Sequence, residues 1–113
     1  MNVPRLSYVV LRCGDLARSL RFYEAMGLQL VPEKHRSGLK HYSCDVGGMI
    51  LELYPFAGAS TSGLRLGLIV PDLDRVAESL RSEGAAVTLR ESGGTAAVTV
   101  TDPDGHQIEL CAC

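Results

Sequence analysis

The order of apolar and polar residues divides the chain into short alternating runs separated by turn residues, with two amphipathic stretches among them. Leu6 to Cys13 is rich in Val, Leu and Tyr and reads as a strand. Gly14-Asp15 breaks it, and the Asp15 carboxylate can accept from the free amides of a first helical turn. Leu16, Leu20, Tyr23 and Met26 then recur at helical spacing, bordered by Ser19 and Phe22, and Gly27 ends the helix. Strands are predicted from Leu28 to His35, Leu39 to Asp45 and Met49 to Tyr54, with Arg36-Ser37-Gly38 as the first turn between them. Pro55 to Gly63, rich in Gly, Ser and Thr, reads as a linker. Beyond it Leu64 to Val70 is a strand, Pro71-Asp72 starts a helix with the stripe Leu73, Val76, Ala77 and Leu80, and Gly84 ends that helix. Ala86 to Glu91, Thr95 to Thr101 and His106 to Ala112 complete the set, with Gly93-Gly94 and Pro103-Asp104-Gly105 as turns. The charged side of the second helix, Asp74, Arg75, Glu78, Arg81 and Glu83, is a solvated face.

The second half repeats the first at an offset of 57 residues. Leu11 falls on Leu68, Asp15 on Asp72, Leu16 on Leu73, Arg18 on Arg75, Gly27 on Gly84, Asp45 on Asp102, Gly48 on Gly105, Glu52 on Glu109 and Leu53 on Leu110, with no gap. Two copies are too few for a solenoid. The pattern predicts an α+β fold of two tandem βαβββ units: unit one over about 5–55, a linker at 56–63, and unit two over about 64–113, in one domain.

Strand alternation sorts the faces. Leu66, Leu68 and Val70 oppose Arg65, Gly67 and Ile69; Val9, Leu11 and Cys13 oppose Tyr8, Val10 and Arg12; Leu51 and Leu53 oppose Ile50, Glu52 and Tyr54; Ile108 and Leu110 oppose Gln107, Glu109 and Cys111. One face of each sheet is suited to lie under its helix. The other mixes polar and apolar groups and suits a curled sheet lining a cup, as ligand pockets do. A three-residue loop at Pro103-Asp104-Gly105 puts Thr99 opposite Glu109 and, by the repeat, Tyr42 opposite Glu52. Tyr42 and Cys44 are therefore expected to face the cup, with His41 and Ser43 under the helix; a slip of one residue would reverse this.

Composition narrows the function. A net charge of −2 argues against nucleic acid or an anionic membrane as partner. No apolar run approaches the ~18 residues of a membrane span, and Met1-Asn2-Val3-Pro4-Arg5 lacks a signal peptide's apolar stretch. A cytoplasmic protein with Cys13, Cys44, Cys111 and Cys113 reduced is the expectation. The Cys111-x-Cys113 tail has no second pair or His at ligand spacing and reads as small residues at a fraying end. His35, His41 and His106 read as strand filler or surface, and His106, after the turn glycine, as exposed.

The paired units resemble the vicinal oxygen chelate superfamily, which includes glyoxalase I, bleomycin-resistance proteins and extradiol dioxygenases. The resembling motifs are Tyr8 to Leu16 followed by Ser19, Phe22 and Tyr23, then Leu51-Glu52-Leu53, and Asp102-Pro103-Asp104-Gly105 leading to Glu109. The resemblance implies a homodimer. It also implies metal ligands, usually His and Glu, on the first and last strands of each unit, places that fall here on Tyr8, Glu52, Arg65 and Glu109. Arg65 offers no lone pair and would repel a dication. The expected arrangement is a metal-free site in which Arg65 forks between Glu52 and Glu109 in the electrostatic role of the ion.

The function expected from this is binding of a small organic molecule in the cup, with Tyr8, Tyr42, Tyr54 and Ile69 for apolar contact and Glu52, Arg65 and Glu109 for polar contact. The alternative is a lyase, isomerase or dioxygenase whose divalent metal, on Glu52 and Glu109, polarises vicinal oxygens. A metal-independent enzyme with Glu52 or Glu109 as general base is a third reading. A bland reading stands beside them: Glu52, Arg65 and Glu109 as an ion cluster that only ties the units together.

Overall fold

A computed structural model of the chain describes residues 2–33, 38, 40–92 and 94–112, residue 92 by its backbone alone. Outside them lie His35, the Arg36-Ser37 turn, the start of the third expected strand at Leu39, Gly93 and Cys113. The elements are β1 (Tyr8–Cys13), α1 (Leu16–Ala25), β2 (Val31–Glu33), β3 (His41–Val46), β4 (Met49–Pro55), β5 (Arg65–Val70), α2 (Leu73–Ser82), β6 (Val87–Ser92), β7 (Thr95–Thr101) and β8 (Gln107–Ala112). They form two four-stranded sheets, ordered β1-β4-β3-β2 and β5-β8-β7-β6. β1 lies parallel to β4 and β5 to β8, and the remaining pairs are antiparallel. This is the tandem βαβββ plan, and the sheets do not close into a barrel.

The two units use the same local chemistry. Asp15 caps α1 by accepting from the Arg18 amide at 3.1 Å, and Asp72 caps α2 by accepting from the Arg75 amide at 3.1 Å. α1 turns Ser19, Phe22 and Tyr23 fully inward, while Leu16 and Leu20 stay partly exposed. α2 buries Leu73, Val76, Ala77 and Leu80, as its spacing predicts. Leu11, Cys13, Leu51 and Leu53 from the first sheet and Val70, Val98, Val100, Ile108 and Leu110 from the second join these helices in one core.

The outer faces of the sheets are left open. The molecule measures 48 × 41 × 23 Å, a flattened body. Tyr8 is 60% exposed and Ile69 72%.

One expectation is overturned. β3 and β4 pair with Tyr42 opposite Leu53, Ser43 opposite Glu52 and Cys44 opposite Leu51. Tyr42 and Cys44 therefore lie on the helix side against the core, and His41 and Ser43 share the outer face with Glu52. The reason is turn length. In unit two the amide of Asp102 bonds the His106 carbonyl at 2.9 Å, closing the expected three-residue loop, and Thr99 does lie opposite Glu109. In unit one Val46 pairs with Met49 across Gly47-Gly48 alone, with φ of 62° and 95°. Two consecutive left-handed residues are what a two-residue hairpin turn asks for, and glycine supplies them without strain. The missing residue shifts the register by one and exchanges the faces of β3.

Candidate ligand-binding face

The outer face of the first sheet carries Tyr8, Val10 and Arg12 from β1, Ile50, Glu52 and Tyr54 from β4, His41 and Ser43 from β3, and Glu33 from β2. Glu52 sits at the centre. Its Oε2 lies 3.3 Å from His41 Nε2. The His41 ring stacks on Tyr54, with centroids 4.1 Å apart and planes 8° from parallel, and is only 1% exposed. The Arg12 guanidinium covers Tyr54 at 5.2 Å. Desolvation first, and the Glu52 carboxylate next, hold the Tyr54 phenol above its ordinary pKa, so it stays a neutral donor. Ser43 Oγ donates to Glu33 Oε1.

The outer face of the second sheet is more exposed. Gly67 lies beside Glu109 in the β5–β8 register, between Arg65 and Ile69. A Cβ built on Gly67 would meet nothing within 4 Å, so the strand has an open notch there. Glu109 Oε2 lies 3.9 Å from an Arg90 guanidinium nitrogen. Among the described residues no carboxylate comes within ion-pair distance of Arg65. The expected fork of Arg65 between Glu52 and Glu109 is thus not formed within one chain, because the two carboxylates belong to separate sheets with open outer faces.

The four places that the superfamily resemblance assigns to metal ligands do not fit a dication. Tyr8 is an exposed phenol, Arg65 has no lone pair, Glu52 is engaged by His41, and Glu109 stands beside Arg90.

His41 and Ser43 replace Tyr42 as cup residues, and Glu33 and Arg90 join the faces unforeseen. The signal for the first exchange was present: Gly47-Gly48 is itself a two-residue turn sequence.

The Asp102-Pro103-Asp104-Gly105-His106 turn does different work. His106, expected at the surface, is fully buried. Its Nδ1 donates to Asp102 Oδ2 at 2.6 Å, and its Nε2 lies 2.6 Å from Thr61 Oγ1 in the inter-unit segment. That hydroxyl also accepts from the Arg12 amide at 2.9 Å. Asp102 further accepts from Tyr23 Oη at 2.5 Å, and Asp104 accepts from the Gly14 amide and from Ser19 Oγ. A turn of unit two is thereby fastened to α1, β1 and the inter-unit segment. Gly105 must be glycine: its φ is +89°, and an added Cβ would stand 2.6 Å from Ser62 Oγ. Asp102, Asp104 and His106 lie close enough to hold an ion, yet their donor atoms are already committed to these hydrogen bonds.

Burial here has a pH consequence. It pushes the Cys13 thiol from 9.0 to about 11, and it also raises the Tyr23 phenol, with Asp102 adding to that rise. Both groups are neutral when protonated, and their folded values exceed the unfolded ones. Their contribution is complete below the unfolded values and is lost as pH climbs toward the folded ones. Thermal unfolding between pH 7 and 11 should therefore show a midpoint that is steady to about pH 9 and then falls, with Cys13→Ala shallower at the start of the fall.

Three clefts lie off the outer faces. One of 320 Å³, polar, follows the seam between α1 and the Asp102 turn, past Arg18, Phe22 and Gly84. A second of 430 Å³ separates the end of α1 from the start of α2. The third, of 550 Å³, lies at the foot of β1 beside Gly47-Gly48. Among the described residues no helix is long and apolar enough to cross a membrane.

An open, mixed face on a paired βαβββ framework defines a chain of the glyoxalase type. Residues 5–110 match the Glyoxalase/Bleomycin resistance protein/Dioxygenase superfamily, and the chain belongs to it. It is 32% identical to a probable lactoylglutathione lyase of Vibrio parahaemolyticus, over 97% of this chain and 91% of that one. It is 33% identical to a lactoylglutathione lyase of Salmonella typhimurium, over 94% and 90%. The lactoylglutathione lyase GLX1 of Arabidopsis thaliana, 29% identical over 94% of this chain, is longer: the match spans 43% of it. Among solved structures, oxidase ChaP-H2 superposes with a TM-score of 0.81 at 19% identity, covering 100% of this chain and 95% of that one. A lactoylglutathione lyase of Agrobacterium tumefaciens gives 0.72 at 18%, covering 99% and 96%. These structural likenesses show the fold.

Proposed function

We propose that the protein binds a small organic molecule carrying a carboxylate or carbonyl oxygen on the outer sheet faces, with no ion at the four superfamily places. The observation that carries this is Arg65: an exposed guanidinium on the outer face, without an ion-pair partner among the described residues, next to the Gly67 notch. A planar fork of donors suits an oxyanion. Ile69, Tyr8 and Tyr54 provide apolar contact, and Glu52 and Glu109 accept from the ligand's hydroxyl or amide groups. Calorimetric titration with a panel of 2-hydroxy and 2-keto acids tests it. At least one compound should bind below ~1 mM, and Arg65→Ala should weaken it roughly 10–100-fold, the worth of a hydrogen bond to a charged group. A panel without a binder, or an unchanged affinity in Arg65→Ala, contradicts the proposal.

The cup is completed by a second copy of the chain, so that the working form is a homodimer in the cytoplasm. Exposed Tyr8 and Ile69 on the outer faces support this. Light scattering should give twice the chain mass, and Ile69→Glu should shift it toward the monomer.

The bacterial relatives favour a second reading, a metal-dependent lyase acting on vicinal oxygens. It predicts turnover of lactoylglutathione that is abolished by chelation and restored by a divalent ion. Turnover of this kind lost in Glu109→Ala would place the reaction at the superfamily positions and displace the binding proposal.

A further inference from the structure

We infer that the outer face of unit two selects one enantiomer of a 2-hydroxy acid with an apolar side chain, the ligand's second carbon seated over Gly67. The inference rests on the proposed function and names the ligand class of that same site. The register of β5, β8 and β7 fixes three directions around the notch. Arg65 and Ile69 lie two residues to either side of Gly67 on β5, so both share its face, each about 6–7 Å away along the strand. Glu109 is beside Gly67 on β8, about 5 Å across, and Thr99 is beside Glu109 on β7. A carbon in the notch therefore meets a cation toward one end of the strand, a hydrocarbon toward the other and a carboxylate to the side. Three unlike contacts that are not in line distinguish a tetrahedral carbon from its mirror image.

The chemistry of each contact selects its group. Gln107 lies beside Arg65, and its Oε1 accepts from Thr101 Oγ1 at 3.2 Å, which leaves the amide nitrogen as a second donor next to the guanidinium. Together they suit the two oxygens of a carboxylate. Ile69 is largely exposed and offers an apolar surface to the ligand's side chain. Arg90 stands against one oxygen of Glu109; the other oxygen and the Thr99 hydroxyl have no partner among the described residues. A ligand hydroxyl at this point donates to Glu109 and accepts from Thr99, so both of its hydrogen-bonding roles are met. A keto oxygen only accepts, and it would face the carboxylate's lone pairs. An ammonium would suit Glu109 alone. Among the described residues, Arg65, Arg90 and Glu109 are the charged groups of this face and leave it net positive, which favours an anion over a zwitterion.

The test is calorimetric titration of the full chain with four compounds of one carbon skeleton: both enantiomers of 2-hydroxy-4-methylpentanoate, the matching 2-keto acid, and leucine. One hydroxy acid enantiomer should bind at least ~10-fold more tightly than each of the other three, the worth of one hydrogen bond to a charged group. Glu109→Gln should bring that enantiomer and the keto acid to within ~3-fold of each other, because an amide can donate to a keto oxygen as well as accept from a hydroxyl. Gln107→Leu should weaken both acids and leave their ratio as it was. Equal binding of the two enantiomers, tightest binding of the keto acid or of leucine, or a preference that persists in Glu109→Gln overturns the inference. Any of these results with affinity still lost in Arg65→Ala leaves the proposed function standing. Failure of all four compounds to bind, with a binder found elsewhere in the acid panel, sinks the inference alone; a panel without a binder sinks both.

Discussion

Asp102→Ala should cost roughly 3–5 kcal/mol, the largest loss expected from a single side chain. Asp102 is almost wholly buried and accepts from Tyr23 Oη, His106 Nδ1 and the amides of Asp104 and His106. Alanine removes the acceptor and leaves four donors facing a space with nothing to receive them. Stranded buried donors carry their full desolvation penalty. The loss falls on the join between the units, since Tyr23 belongs to one and His106 to the other. Against a total of ~5–15 kcal/mol for a domain of this kind, the unfolding midpoint should drop by roughly 15 °C or more. Thr61→Val, which removes one partner of His106, should cost only about 1 kcal/mol. Denaturant unfolding of both variants checks this; a loss under about 1 kcal/mol for Asp102→Ala would show that the network is not what fastens the units.

Gly67→Leu should abolish ligand binding while leaving the fold intact. No described atom stands within 4 Å of a Cβ at this position, and its φ is not in the left-handed region. Leucine in a strand costs less chain entropy on folding than glycine, so stability should hold or rise slightly. The new side chain fills the notch between Arg65 and Ile69 beside Glu109, where the proposed ligand would lie. Affinity should fall at least ~100-fold with an unchanged unfolding midpoint. A variant that binds normally would move the ligand off this face, and the 320 Å³ seam cleft would become the better candidate.

These effects also show which parts of the molecule the sequence discloses. The offset of 57 residues carries the caps, the helix ends and the face alternation of β1, β4, β5 and β8, because each depends on residues a few places apart. β3 went astray through that same repeat. Unit one closes its hairpin with two residues where unit two uses three, so copying the register moved Tyr42 onto the cup and His41 off it. The turn glycines held the correction, but the repeat had outweighed them. His106 is a different failure. A residue after a turn glycine is ordinarily exposed, and only the docking of Asp102 against Tyr23 and of His106 against Thr61 buries it. Contacts between residues 79 and 45 positions apart leave no trace in local periodicity. The fork of Arg65 between Glu52 and Glu109 rested on charge at places that the resemblance assigns to ligands, and only the sheet arrangement shows what the guanidinium touches.

The claim that ligand binds the outer faces around Arg65 is tested most directly by backbone amide chemical shifts during titration with the tightest acid of the panel. The expected result is a set of saturable shifts at Gly67, Ile69 and Glu109, together with Glu52 and Tyr54, at one affinity. Shifts gathered at Arg18, Phe22 and Gly84, with the amides of β5 unmoved, would contradict it.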